Sequence, residues 1–122
     1  MNLLLVAVGG AAGSVLRHLA GLAALRLAGV GFPWGTLLVN VAGSLLMGIC
    51  WQLLAQRGPN AAQLLVMTGF LGGFTTFSAF SLETAQLWMR GEMLQCVGYV
   101  AASVALSLVA VTLGMWLARG LA

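Results

Sequence analysis

The segment that decides the fold runs from Gly69 to Phe80 and reads GFLGGFTTFSAF. It lies in a stretch without charged residues, from Gly58 to Leu82, where an ordinary membrane helix would carry leucine, isoleucine and valine. Adjacent glycines and β-branched threonines are poor helix formers, so we expect a membrane-spanning helix to break here. Unwound backbone survives at membrane depth only where protein buries it or where it lines a polar cavity, so the break predicts an ion or substrate site.

The rest of the chain has the composition of an integral membrane protein. Of its 122 residues, 61% are hydrophobic and only 6% are charged. A helix needs about 20 residues to cross the hydrocarbon, and the apolar stretches between the charges predict four spans near residues 3–25, 34–54, 61–87 and 94–118. Little chain remains outside them, which predicts a single all-α membrane domain over residues 1–122. The five arginines are scattered and form no basic patch, so the expected surroundings are membrane lipid and no nucleic acid.

The arginines are divided almost equally between the two sides of the membrane. With four spans, Arg57 and Arg119 fall on the side that holds both termini. Arg26 and Arg90 fall on the opposite side. Orientation is normally set by an excess of lysine and arginine on the cytoplasmic side, and here that excess is almost absent. The chain is therefore predicted to insert in both orientations and to pair as an antiparallel, dual-topology homodimer.

The first span carries small residues and one arginine on a single face. Gly9, Gly13, Arg17 and Gly21 recur every four residues, which places them on one side of a helix. Small residues at this spacing allow close helix contact, so the glycines are interpreted as packing positions. Arg17 needs a polar partner or water inside a membrane. It is interpreted either as part of a polar site or as a side chain that reaches to the interface.

Polar stripes recur on the second and fourth spans. The second carries Thr36, Asn40, Ser44 and Gly48, and the fourth carries Tyr99, Ser103 and Ser107. An isolated asparagine can bond a neighbouring helix, and a serine can bond its own helix. The hydroxyls aligned with Asn40, whose amide has two donors and an acceptor, favour a functional site instead. Four helices of this length cannot enclose a roomy channel alone, so a polar pathway is predicted to need a second chain.

Phe77, Phe80 and Glu83 are spaced by three along the third span and are predicted to share a face. A phenylalanine stripe usually faces lipid or a core. Here a predicted helix break precedes the stripe and a carboxylate follows it, which favours a role in the site. Glu83 is either a buried acid or an interfacial carboxylate paired with an arginine, and the sequence leaves both open.

Three segments resemble the Fluc (CrcB-type) family of small bacterial fluoride channels. They are GGAAGS at residues 9–14 leading to Arg17, GTLLVNVAGS at residues 35–44, and the run from Gly69 to Phe80 followed by Glu83. The second and third segments in this order are highly specific, and the resemblance covers nearly the whole chain. It implies a fluoride-selective channel in the bacterial inner membrane, which passively exports fluoride from the cytoplasm and so relieves its toxicity.

The resemblance also implies the arrangement of the site. It implies an antiparallel homodimer with two fluoride pathways beside a central structural sodium ion, held by the backbone carbonyls of Gly72 and Thr75 from both chains. The residues carried over to the fluoride pathway are Asn40, Phe77, Phe80, Thr36, Ser78, Glu83, Tyr99, Ser103, Ser107 and Arg17.

Two positions depart from the usual pattern of the family. Ala79 stands where a threonine is common, which removes one hydroxyl from the implied pathway. His18 stands where a tyrosine often follows the arginine. Neither change touches the implied sodium ligands or Asn40, so the implied function is unchanged.

Two other classes of protein remain as alternatives. A small dual-topology proton-coupled exporter of cationic compounds has a similar size and charge balance, but it carries an essential glutamate in its first span, where this chain has Arg17. A non-transporting packing subunit would explain the glycines and leave Asn40 without a purpose. No enzyme is expected, because there is no Gly-x-x-x-x-Gly-Lys phosphate loop and His18 has no evident acid or nucleophile beside it.

Overall fold

The computed structural model describes residues 2–121, in which every regular element is a helix. Helix α1 covers Asn2–Ala28 and α2 covers Trp34–Leu53, followed by a short 3₁₀ turn at Ala55–Arg57. Helix α3 is π-helical over Gln63–Leu71 and α-helical over Gly72–Phe74; α4 covers Phe77–Met89 and α5 covers Met93–Arg119.

Four helical stretches are long and apolar enough to cross a membrane. They are Asn2–Ala28, Trp34–Arg57, Gln63–Met89 and Met93–Arg119, and each has a mean hydropathy of at least 1.4. The predicted all-α class and the four helices able to span a membrane are confirmed. Their bounds lie within a few residues of those expected from the spacing of the charges.

Two residues between α3 and α4 leave the helical conformation. Thr75 has φ −86° and ψ 157°, and Thr76 has φ −152° and ψ 119°, so both backbones are extended. The hydroxyl of Thr75 donates to the carbonyl of Leu71 at 2.9 Å and closes the end of α3. The hydroxyl of Thr76 accepts from the amide of Ala79 at 3.2 Å and caps the start of α4. We call these two residues the threonine link.

Helices α1 and α3 pack so closely that glycine is required between them. A Cβ atom at Gly9 would overlap the carbonyl oxygen of Leu65, and one at Gly13 would overlap that of Phe70. The packing interpretation of these two glycines is thus confirmed. A Cβ at Gly21, the last small residue of the stripe, would have open space around it.

Helices α2 and α5 show the same close approach. A Cβ atom at Gly48 would overlap the carbonyl oxygen of Val111, and one at Gly114 would overlap that of Leu45. Association of helices in a membrane lacks the hydrophobic drive that water supplies, and close contact between small residues replaces it. One glycine seam therefore joins α1 to α3, and the other joins α2 to α5.

The α2–α5 seam gives a matched pair of glycine substitutions. Gly114→Ala should lower the free energy of unfolding by roughly 1–3 kcal/mol, because the methyl group must displace the backbone of α2. Gly98→Ala lies on the same helix with nothing within 4 Å of the new atom. It should leave stability unchanged or raise it by up to about 1 kcal/mol through helix propensity. Unfolding in detergent micelles measures both, and equal stability of the two variants would contradict the seam.

Candidate functional site

Two cavities meet at the threonine link. The first, which we call the arginine cavity, has a volume of about 320 Å³ and is lined by Arg17, His18, Thr36, Thr76 and Glu83, together with apolar residues. The second, which we call the phenylalanine groove, has a volume of about 460 Å³. Its polar and aromatic lining consists of Asn40, Ser44, Thr75, Thr76, Phe77, Phe80, Ser103 and Ser107. Thr76 lines both cavities and so lies between them.

Asn40 binds the backbone of the threonine link with both ends of its amide. Its Nδ2 donates to the carbonyl of Thr76 at 3.0 Å, and its Oδ1 accepts from the amide of Thr76 at 2.8 Å. Thr76 precedes the first residue of α4, so its amide lies outside the helical hydrogen-bond ladder, and the Oδ1 of Asn40 supplies the acceptor for it. One N–H of Asn40 remains for another acceptor.

Gly43 fixes the other residue of the threonine link. Its backbone lies against the side chain of Thr75, and a Cβ atom at Gly43 would overlap the methyl carbon of that threonine. Asn40 and Gly43 lie three residues apart on α2, so the same face of this helix holds both threonines.

Glu83 lies on α4 beside the arginine cavity and bonds a hydroxyl rather than an arginine. The hydroxyl of Thr36 donates to its Oε1 at 2.5 Å. The ion pair found among residues 2–121 is Arg90–Glu92 at 3.4 Å, and it does not include Glu83. Glu83 also borders a third cavity of about 240 Å³, which Gln86 and Arg90 line. Of the two interpretations left open by the sequence, the partly buried acid agrees with this geometry.

Phe77, Phe80 and Tyr99 form a row of aromatic contacts that runs from the protein surface to its core. The ring centroids of Phe77 and Phe80 are 5.5 Å apart, and those of Phe80 and Tyr99 are 5.2 Å apart. Phe77 is 78% exposed, whereas Tyr99 is fully buried beneath Phe32. Both phenylalanines line the phenylalanine groove, while Glu83 lines the arginine cavity, so the three residues expected on one face serve two cavities.

Two residues of the polar stripe on α5, Tyr99 and Ser103, have buried hydroxyls. Ser103 is 7% exposed and lines the phenylalanine groove, and its hydroxyl has no hydrogen-bond partner. The hydroxyl of Tyr99 is likewise buried and unpartnered. Ser107 lines the same groove at partial exposure. An unpaired buried hydroxyl is costly, so these groups are typical of a site that binds something polar.

Three more of the predicted residues lie at or near the threonine link. Ser78 is exposed, with its hydroxyl 3.2 Å from that of Thr76. Gly72 is exposed in the last turn of α3, and Thr75 follows that turn. The Nε of Arg17 donates to the carbonyl of Gly73 at 3.2 Å.

The threonine link offers a metal ion backbone carbonyls and neutral side-chain oxygens rather than a cluster of acidic, histidine or cysteine ligands. No group of three or more histidine, cysteine, aspartate or glutamate side chains lies close together in the described part of the chain. The end of α3 offers carbonyls at the negative pole of a helix, which favours a cation.

Sequence reasoning missed two residues of the site, Thr76 and Gly43. The signal for Thr76 was present, because a threonine directly before the Phe77–Phe80 helix has the preferred chemistry of an N-cap. Gly43 was visible only as one more small residue. Its contact with Thr75 depends on how α2 crosses the third span, which sequence spacing does not determine.

The chain matches one protein family over most of its length. The model of the family described as CrcB-like protein, Camphor Resistance (CrcB), matches residues 4–115. The fluoride-specific ion channel FluC of Mesorhizobium japonicum is 54% identical over 121 residues, which covers 98% of each chain. The protein of the same name from Rhizobium etli strain CIAT 652 is 55% identical, and that from Agrobacterium fabrum is 49% identical. These two alignments cover 97% and 99% of this chain and 96% and 98% of the relatives.

The bonds between Asn40 and Thr76 generate a stability prediction. Asn40→Asp keeps an acceptor for the amide of Thr76 but replaces the donor with a carboxylate oxygen that faces a carbonyl. We expect the free energy of unfolding in detergent to fall by about 1–3 kcal/mol. Gln95→Glu makes the same amide-to-acid change at an exposed position of α5, and it should shift stability by no more than about 0.5 kcal/mol. An equal effect of both variants would show that the amide does not hold the link.

Proposed function

The chain belongs to the CrcB-like protein family, and from this membership we propose that it is a fluoride-selective channel that exports fluoride passively from the bacterial cytoplasm. Relatives that match nearly its whole length are named fluoride-specific ion channels. The chain is accordingly a multi-pass membrane protein that acts as an ion channel and not as an enzyme. Helical spans are the type found in the inner membrane, whereas outer-membrane channels are β-barrels, and this supports an inner-membrane location.

The observation that carries the proposal is the phenylalanine groove. Its polar lining consists of hydroxyls and one amide, and no charged side chain is among its lining residues. A small, strongly hydrated anion loses water in a narrow pathway and needs hydrogen-bond donors in its place. Neutral donors bind it weakly enough to let it leave, which conduction requires.

The aromatic rings of the groove suit an anion as well. An aromatic ring is positive at its edge and negative on its face, so an anion is stabilised where it meets the edge. Phe77 and Phe80 stand one helical turn apart along the groove. The buried hydroxyl of Ser103 lies in the same lining and is free to donate. We propose that fluoride moves along these three residues.

The arginine cavity is proposed as one mouth of the pathway. The charge of Arg17 attracts anions to this cavity, and Thr76 connects the cavity with the groove. Thr36 and Glu83 occupy the same wall and bond each other, so the carboxylate already has one donor. Export follows from the membrane potential, since a negative interior favours outward movement of each unit negative charge by about 2.3 kcal/mol per 100 mV.

We propose that the working unit is an antiparallel homodimer. No more than 22% of the residues in each spanning segment are buried within one chain, and Phe77 is 78% exposed beside the open groove. A second copy would cover the groove and give Phe77 a protein neighbour. The balanced arginines support insertion in both orientations.

Topology tags test this arrangement. A reporter fused to the C-terminus should be found on both sides of the inner membrane in similar amounts. Two added lysines in the 55–60 loop should drive the chain into a single orientation. Fluoride transport by that variant should fall and should return when an oppositely biased copy is co-expressed. A wild-type reporter on one side only would overturn the antiparallel arrangement.

A structural sodium ion at the centre of the dimer is also proposed, and the residues present fit it. Gly72 and Thr75 lie at the carbonyl end of α3, and Gly72 is exposed, so a second copy could approach it. Carbonyl oxygens are hard ligands that suit an alkali cation. One chain offers two such oxygens, and two chains together would offer four. When bound, the ion would supply a fixed positive charge between the two pathways.

A proton-coupled exporter of cationic compounds is the weaker proposal. It needs a membrane-embedded acid in the first span, and α1 contains arginines and a histidine but no acid. A non-transporting subunit would leave the unpartnered hydroxyl of Ser103 in the phenylalanine groove unexplained.

Halide efflux from liposomes tests the proposed function. Purified protein in liposomes loaded with potassium fluoride should release fluoride rapidly once valinomycin carries potassium out. Liposomes loaded with potassium chloride should release almost none. Empty liposomes provide the leak control. Failure of folded protein to release fluoride would overturn the proposal, and a proton-driven exchange of cations would then support the exporter.

The same assay separates a fluoride ligand from a packing residue at Ser103. Ser103→Ala removes an unpaired buried hydroxyl, so the free energy of unfolding should stay unchanged or rise by up to about 1 kcal/mol. Fluoride efflux should nevertheless fall severalfold, because a donor is lost from the pathway. Thr112→Ala is the matched control, since that hydroxyl is exposed and bonds the carbonyl of Leu108 in its own helix. Wild-type efflux in Ser103→Ala would remove this residue from the pathway.

A further inference from the structure

Arg17 has a specific backbone contact that its charge alone does not explain. Its Nε donates to the carbonyl of Gly73 at 3.2 Å, and its guanidinium also lines the arginine cavity. Residues on α1 and α3 thus meet through a side chain at the point where α3 is about to end. Since the last four carbonyls of a helix have no partner within it, Gly73 offers one that needs an outside donor.

The close packing of α1 on α3 makes this contact possible. Gly13 lies one turn before Arg17 on the same face, where a Cβ would overlap the carbonyl of Phe70. Gly73 itself lies against the backbone of Gly10, where a Cβ would be 2.6 Å from the carbonyl oxygen. The two backbones therefore lie close together, which brings the Nε of Arg17 within hydrogen-bond distance of the carbonyl of Gly73.

Gly73 lies between the two residues whose carbonyls are proposed to bind sodium. Gly72 precedes it and is helical, and Thr75 follows two residues later with an extended backbone. On its other side, the threonine link is held by Asn40 at Thr76. Arg17 thus bonds the turn from Gly72 to Thr75 before the turn ends, and Asn40 bonds the residue directly after it.

A positive charge this close to a cation site is unfavourable by Coulomb's law. Its presence is explained if the hydrogen bond matters more than the charge. We propose that Arg17 is a positioning residue, whose Nε–H holds the carbonyl of Gly73 and thereby fixes the spacing of the Gly72 and Thr75 carbonyls around the cation. This inference rests on the proposed sodium site and adds to it the residue of this chain that keeps its geometry.

Two substitutions of nearly equal length separate the hydrogen bond from the charge. In Arg17→Gln, the amide nitrogen stands the same number of bonds from Cα as Nε, so a donor is kept and the charge is lost. In Arg17→Met, a methyl group stands at that place, so both are lost. Arg26→Met is the control, because Arg26 is exposed near the end of α1 and lines none of the three cavities.

The measurement is the thermal unfolding of each full-length protein in detergent as sodium chloride replaces N-methylglucamine chloride at constant ionic strength. The readout is the sodium concentration that gives half of the stabilisation, which does not depend on transport activity. Arg26→Met should share the wild-type midpoint, and Arg17→Gln should have the same midpoint or a lower one, because it keeps the donor and loses the repelling charge. Arg17→Met should need at least about fivefold more sodium than wild type, which is the loss of sodium affinity expected for one hydrogen bond.

Each other outcome overturns the inference in a distinguishable way. Equal midpoints in Arg17→Gln and Arg17→Met, both above or both below that of wild type, would show that the hydrogen-bond donor does not keep the geometry. Wild-type midpoints in both would show that Arg17 does not act on the site. If wild type itself gains no stability from sodium beyond that from N-methylglucamine, the proposed sodium site fails first. Should Arg17→Met not fold, a raised sodium midpoint in Arg17→Gln alone would still contradict the proposal.

Discussion

The structure depends on one constraint, which is that every polar backbone group inside a membrane needs a partner within the protein. An uninterrupted helix meets it without help. The threonine link does not, because Thr75 and Thr76 have extended backbones between two helices. Asn40 bonds the amide and the carbonyl of Thr76, and Arg17 bonds the carbonyl of Gly73. The polar side chains that first indicate a transport site are thus needed to keep the interrupted helix folded at membrane depth.

These side chains reach the link because glycines let the helices approach it. Gly9 and Gly13 bring α1 against α3, and Gly43 brings α2 against Thr75. Lipid tails are as apolar as the side chains, so hydrophobic burial does little to hold helices together in a bilayer. Close contact between backbones takes its place. The glycine seams and the polar site are therefore one arrangement. Widening a seam would lengthen the bonds that hold the link.

The sequence allowed the helices to be predicted better than the contacts of the site. Four apolar stretches of spanning length, separated by single charges, lead directly to the all-α class. The stripes on α2 and α5 placed Asn40 and Ser103 on the correct faces, since helical periodicity determines which side a residue occupies. Periodicity does not determine which partner that side meets. Asn40 was therefore expected to face an ion, but it makes two hydrogen bonds to Thr76. Glu83 was expected to share a face with Phe77, but the two residues line different cavities.

The commitment of Asn40 to the backbone changes how the pathway should work. With one N–H bound to Thr76, the amide has a single donor left, so it cannot surround an anion alone. Further donors on the groove are the hydroxyls of Ser44, Ser103 and Ser107. An anion would then be held by a few single contacts spread along α2 and α5 and by the edges of Phe77 and Phe80. Several weak sites in series allow rapid release, whereas one strong site would retain the ion. Binding of Thr76 by Asn40 thus supports the fold, and in the proposed pathway it would also avoid a single strong anion site.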